Sequence, residues 1–157
     1  MRKTALVLTL LATPVLAQTT VRGTPPDGFK FLPRAEIDKR LETPEAGHPY
    51  SAWVINDHEN YFIEFMKRLD HGNQVEQHTH SIDQITILAG EGVLTYGGAI
   101  PGAVPNAMGE YRGESQVGGK TQALHPGDFV LIPAGMPHRF DAAPGKALYY
   151  VVSKARQ

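Results

Sequence analysis

From Tyr50 to Ser153 the chain is a succession of short apolar runs cut by turn residues, and helical periodicity is nearly absent. SAWVIN, NYFIEFMKRL, QVEQHTH, QITILAG, GVLTYGG, TQALH, DFVLIP, HRFDA and KALYYVVS each have the length and residue types of a strand. Sixteen Gly and twelve Pro supply the breaks between them. Many short strands at close spacing predict an all-β sandwich or barrel. The 157 residues suffice for one domain with a real core. Before the strands, RAEIDKRL places Ile37 and Leu41 four apart, which fits one or two helical turns.

The first residues, MRKTALVLTLLATPVLAQ, have a short positive start at Arg2 and Lys3 followed by an apolar stretch to Leu16. That stretch is too short to span a bilayer, which takes about 20 residues. It reads as a secretory signal peptide over 1–17, cleaved after Ala17, and predicts a secreted or periplasmic protein. Its removal leaves 13 basic against 16 acidic residues, a net charge of −3. Residues 18–49 then read as an arm with the short helix, and 50–157 as the barrel. With no basic stripe, nucleic acid is not an expected partner, and no later apolar run implies a membrane segment. There is no cysteine, so the core alone must hold the fold and any metal site has only nitrogen and oxygen ligands.

Two stretches carry chemistry. In EQHTHSIDQ, His78 and His80 are two apart, which on a strand puts both imidazoles on one face. Glu76 shares that face and is a candidate orienter, general base or ligand. In GDFVLIPAGMPHRF, Gly127 and Asp128 make a turn, and Phe129 to Ile132 a short strand that Pro133 ends. A second turn follows, and His138 opens the next strand.

With these residues the chain resembles the cupin superfamily, over roughly residues 50–153. The first cupin motif, G-x5-H-x-H-x3,4-E-x6-G, is met by Gly72, His78, His80 and Gly90; the second, G-x5-P-x-G-x2-H-x3-N, by Gly127, Pro133, Gly135 and His138. The resemblance implies a jelly-roll-like double-stranded β-helix whose histidines point inward and hold one divalent metal. The motif glutamate is missing. Counting forward from His80 reaches Gln84, and counting back from Gly90 reaches Asp83. If the two strands form a hairpin, a two-residue turn would place β-branched Ile82 where positive φ is usual, which favours the three-residue turn and Gln84. Asp83 is the alternative, and its charge suits a hard metal. Ala142 stands in place of the motif asparagine.

The implied metal set is His78, His80, His138 and Gln84, or Asp83 in its place. Imidazoles suit Zn, Fe, Ni, Cu and, with a carboxylate, Mn. The expected function is a metal-dependent enzyme of dioxygenase, isomerase or lyase type acting on a small oxygen-rich molecule, with Glu76 as candidate proton carrier. The alternative is a non-catalytic periplasmic module that binds a small ligand or metal. NYFIEFMKRL is apolar on both faces, which predicts a homodimer interface as well as core. Ala99–Lys120, rich in Gly and Pro, reads as a long loop without a period of its own. His48, His58, His71 and His125 fall in or beside turns and are expected in solvent.

Overall fold

The computed structural model describes residues 28–44, 46–57, 60–71 and 73–156. The expected signal peptide, the arm up to residue 27, His58 and Gly72 of the first motif lie outside them. The chain divides into Met1–Phe31 and Leu32–Gln157; residues 28–31 carry no helix or strand, and every described helix and strand lies in the second unit. Its elements are α1 (Arg34–Arg40), β1 (Tyr50–Asp57), β2 (Tyr61–Leu69), β3 (Val75–His78), β4 (Ser81–Ala89), β5 (Gly92–Tyr96), β6 (Glu110–Gly113), β7 (Lys120–Leu124), β8 (Phe129–Ile132), β9 (His138–Ala142) and β10 (Ala147–Arg156). No helix among the described residues is long and apolar enough to cross a membrane.

The strands form two five-stranded antiparallel sheets, in the orders β1-β2-β10-β4-β8 and β6-β3-β9-β5-β7. Period-two alternation selects what each strand sends inward. In β4, Asp83, Ile85 and Ile87 are buried while Gln84 is exposed. In β9 the inward residues are His138, Phe140 and Ala142, and in β10 they are Leu148, Tyr150 and Val152. These, with Met66, Leu94, Leu124 and Ile132, make the apolar core between the sheets. Phe140 and Tyr150 stack at 5.0 Å across it. Burying side chains of this size stabilises by about 1.5–3 kcal/mol each.

The inward stripe changes chemistry toward one end. Asp83 continues the Ile85–Ile87 stripe, His138 precedes Phe140, and Lys154 lies two residues beyond Val152. One end of the interior is therefore hydrocarbon and the other ionic. Gly90 permits the turn that closes the apolar end. It has φ +81°, and a Cβ there would overlap the Ala147 carbonyl.

Three expectations are corrected by the pairing. His80 does not face Asp83 or Gln84 across a hairpin: β3 pairs with β6 and β9, whereas β4 lies in the other sheet, beside β10 and β8. Thr79 and His80 are the bend between sheets, so turn sterics do not set the register of Asp83 and Gln84. The stretch Ala99–Lys120 also contains β6 and an isolated Ala99–Val117 bridge, and β6 supplies two site residues. The outer cover of β1 is supplied in part by α1, which buries Ile37 and, just past its end, Leu41, and sets Arg40 over the Trp53 ring at 5.2 Å.

Candidate metal centre

Cross-strand partners share a face, and the registers assemble the ionic end of the interior. Glu76 on β3 pairs with His138 on β9 and with Arg112 on β6. His78 pairs with Glu110. Across the interior, Asp83 on β4 is the register partner of Lys154 on β10. Glu76, His78, Asp83 and His138 are all buried.

Both histidines turn the same nitrogen inward. The His78 Nδ1–H donates to Glu110 Oε2 at 2.5 Å, and the His138 Nδ1–H donates to the Met136 carbonyl at 3.0 Å. Each Nε2 is thereby left for the cluster, the arrangement in which a carboxylate or carbonyl orients a ligating imidazole. Asp83 Oδ2 lies 3.2 Å from His78 Nε2 and 3.4 Å from His138 Nε2. Glu76 lies 4.0 Å and 3.8 Å from the same two nitrogens. One ligand atom each from Glu76, His78 and His138 falls within 4.8 Å of the others, a spacing that could hold a metal ion.

The residues fit such an ion. His138 Nε2 and Asp83 Oδ1 are buried without a hydrogen-bond partner, and orphaned buried polar atoms cost about 1–3 kcal/mol each. Two imidazole nitrogens with carboxylate oxygens are a donor set for Mn, Fe, Zn or another first-row divalent ion.

Charges of both signs crowd around the cluster. Arg68, itself buried, donates to Glu76 Oε1 at 3.0 Å and to the Tyr150 hydroxyl at 2.8 Å. Arg112, half-exposed at the mouth, holds Glu76 Oε2 at 2.6 Å. Burial alone would push the Glu76 carboxyl up, but Arg68, Lys154, His138 and Arg112 outweigh it and hold it well below the usual carboxylate range. Burial of Asp83 is likewise outweighed by the imidazoles of His138 and His78 beside it, and it too stays ionised. Carboxylates held so firmly ionised serve as ligands or counter-charges; as proton carriers near neutral pH they are poor.

His78 Nε2 has a second neighbour, Lys154 Nζ, at 2.9 Å. Burial lowers the His78 pKa, but the hydrogen bonds to Asp83 and Glu110 raise it to about 9. Either the ring carries the proton toward Asp83, or the ring is neutral and accepts an N–H from Lys154. In both arrangements an N–H stands where a metal ion would take the lone pair.

Of the residues singled out from the sequence, the structure brings Glu76, His78, Asp83 and His138 together. It does not bring His80 or Gln84 to them. His80 is exposed in the bend after β3, and Gln84 is exposed because it alternates away from Asp83. Both facts follow from a motif frame shifted by two. Glu76-x-His78-x4-Asp83-x6-Gly90 satisfies the cupin spacing, with Glu in the first histidine position and Asp in the glutamate position. The count back from Gly90 carried that signal. Lys154 and Glu110 had none, because only the sheet register places them; Arg68 lies in the NYFIEFMKRL run and Arg112 in the Ala99–Lys120 stretch, and neither belongs to a motif.

Fold and site together define a class: a double-stranded β-helix barrel with an acid–histidine cluster buried at one end. Within that class, residues 109–153 match the cupin domain family by sequence. It is similar to a conserved double-stranded β-helix protein of Klebsiella pneumoniae, 17% identical with a TM-score of 0.56, over 76% of this chain and 86% of that one. A conserved protein of unknown function from Streptococcus pyogenes is 17% identical with a TM-score of 0.52, over 82% and 88% of the two chains. The Cnp3 cupin domain of Schizosaccharomyces pombe is 13% identical with a TM-score of 0.52, over 70% and 66%. At these identities the likeness is one of fold. No curated protein sequence matches the chain.

Proposed function

We propose that this cupin is a metal-dependent enzyme of dioxygenase, isomerase or lyase type, acting on a small oxygen-rich organic molecule. The observation that carries the reading is the pair of histidines whose Nδ1–H groups are committed outward while both Nε2 atoms face buried carboxylates. Glu76, His78 and His138 would hold the ion, with Asp83 as fourth ligand. A divalent ion bound there supplies Lewis acidity toward a carbonyl or enolate oxygen, or a centre for oxygen chemistry. The chain's own part is to orient and exclude. Glu110 and the Met136 carbonyl fix the ring tautomers, Arg68 and Arg112 hold Glu76, and Phe140, Ile85 and Val152 wall the cavity beside the cluster.

A second reading has one observation behind it: Glu76, the candidate proton carrier, is engaged at both oxygens by arginines. A non-catalytic module that captures a small ligand or metal needs no proton carrier. Export, argued from residues 1–17, and a homodimer, argued from the half-buried Ile63 and Phe65 on the outer face of β2, belong to the same proposal.

The test is elemental analysis of mature protein exported to a periplasm, beside His78→Ala and His138→Ala. One equivalent of a first-row metal in the wild type, lost in both variants, is the expected result. A wild type that is metal-free and fails to take up added Mn, Fe or Zn would overturn the reading.

A further inference from the structure

The cavity beside the cluster has a volume of about 170 Å³ and is lined by Glu64, Glu76, Asp83, Arg68, Arg112 and Lys154 among its charged groups. Three carboxylates face three cations, so formal charge cancels before any ion is bound. A divalent ion at Glu76, His78 and His138 would leave the site positive. Counting Glu110, which faces His78 from β6, still leaves one positive charge in excess. An uncompensated charge in a buried site is costly, and the remedy is a counter-ion. The small molecule that enters this cavity beside the ion should therefore be an anion.

Lys154 shows where the anion would be held. Its Nζ is 2.9 Å from His78 Nε2, and the other ring nitrogen is committed to Glu110. With the ring neutral, one lone pair on Nε2 serves Lys154 or a metal ion, not both; with the ring protonated toward Asp83, the ion displaces that proton to take the same lone pair. When the ion takes it, a half-buried ammonium on the cavity wall loses its acceptor. Asp83, its register partner, is the acceptor within the chain that would compete for it. Arg112 lines both this cavity and the adjoining recess of about 490 Å³ formed with His48, Tyr50, Arg68, Gln74 and Glu114, and so stands on the way in.

We propose that Lys154, with Arg112 at the mouth, is the subsite for a carboxylate of the substrate, made available when a metal ion takes His78 Nε2. This rests on the metal-dependent reading above and narrows it. The substrate is a small carboxylate carrying a second oxygen, hydroxyl or keto, within reach of the ion. Lys154 is then a specificity-determining residue that exchanges one partner for another as the ion binds.

The experiment compares glycolate with its neutral amide, glycolamide, by calorimetric titration. It uses full-length mature protein loaded with Mn²⁺ and freed of excess ion, as wild type, Lys154→Met and Lys154→Arg. The loaded wild type should bind glycolate at least tenfold more tightly than glycolamide. Lys154→Met should keep its Mn²⁺ and its glycolamide affinity while losing at least tenfold in glycolate affinity. Lys154→Arg should restore the preference, which a merely structural role would not do. A Lys154→Met protein that holds Mn²⁺ and binds glycolate as the wild type does would overturn the subsite and leave the metal reading standing. Failure of the folded wild type to hold any of Mn²⁺, Fe²⁺ and Zn²⁺, with the variant failing likewise, would overturn both.

Discussion

Asp83 and His78 meet at 3.2 Å although they belong to different sheets, while Gln84, one residue on, is in solvent. Substitutions one or two residues apart should therefore differ sharply. Asp83→Asn keeps the shape and removes the anion, and a metal titration should show at least a tenfold loss of affinity. Gln84→Ala and His80→Ala should stay within about twofold of wild type, since neither side chain reaches the cluster. A strong loss in His80→Ala would restore the unshifted motif frame. Titration adds an independent handle. With its pKa raised to about 9, the His78 imidazole carries a proton that a metal ion must displace. Metal affinity should thus climb by up to about tenfold per pH unit from pH 6.5 to 8.5 and flatten above 9. The folding linkage has the opposite sign. A raised histidine pKa gives stability that is complete below about 6.5 and lost as pH rises through 9, so the metal-free protein should weaken over the range in which metal binding strengthens. Competition titrations and urea melts at matched pH separate the two; a pH-independent metal affinity would show that Nε2 is already free.

At the scale of elements, β6 is four residues long yet contributes both Glu110 and Arg112, placed by pairing with His78 and Glu76. Glu110→Gln retains a hydrogen-bond acceptor for the His78 Nδ1–H but removes the charge. Loss of such an orienting partner typically weakens metal binding by about 10–100-fold, and the expectation here is a loss within that range with little change in the urea midpoint. The same strand shows what a sequence conveys and what it does not. The nine apolar runs, the RAEIDKR helix and the turn that delivers His138 were legible because each is written locally, in period-two alternation and in Gly and Pro. β6 was not: EYRG sits among Gly and Pro, has no apolar residue beyond Tyr111, and is a strand only because β3 lies beside it. Nor was the separation of β3 from β4 into different sheets, because a two-residue bend and a two-residue hairpin turn look alike in sequence. That misplaced pairing turned the reading toward Gln84, which is exposed, and away from Asp83, which is buried in the cluster. Lys154 was hidden for a related reason. It continues an ordinary amphipathic strand, and only the register with Asp83 turns it into the ionic end of the interior.

The whole molecule places its two sheets in contact through hydrocarbon at one end and through charge at the other. At the ionic end, Asp83 and Lys154 come from one sheet and Glu76, His78 and His138 from its partner. An ion held by Asp83 and the other three would join the sheets where apolar packing has run out. Binding of the folded chain alone then stabilises it by mass action, about 2.7 kcal/mol at one hundred times the dissociation constant. For a domain of this size that corresponds to a rise in Tm on the order of 10 °C. The rise should be seen by circular dichroism with Mn²⁺ or Zn²⁺ in the wild type and be absent in His138→Ala. Leu148→Ala supplies the contrast from the other end, where Leu148 is buried beside Gly92. It should cost about 2–5 kcal/mol through the cavity it leaves, yet keep the ion-dependent rise, since it lies outside the cavity beside the cluster. If the ion stabilised neither protein, the ionic end would be held by the side-chain cations Arg68, Arg112 and Lys154 alone, and the barrel would have exchanged a metal for internal ion pairs.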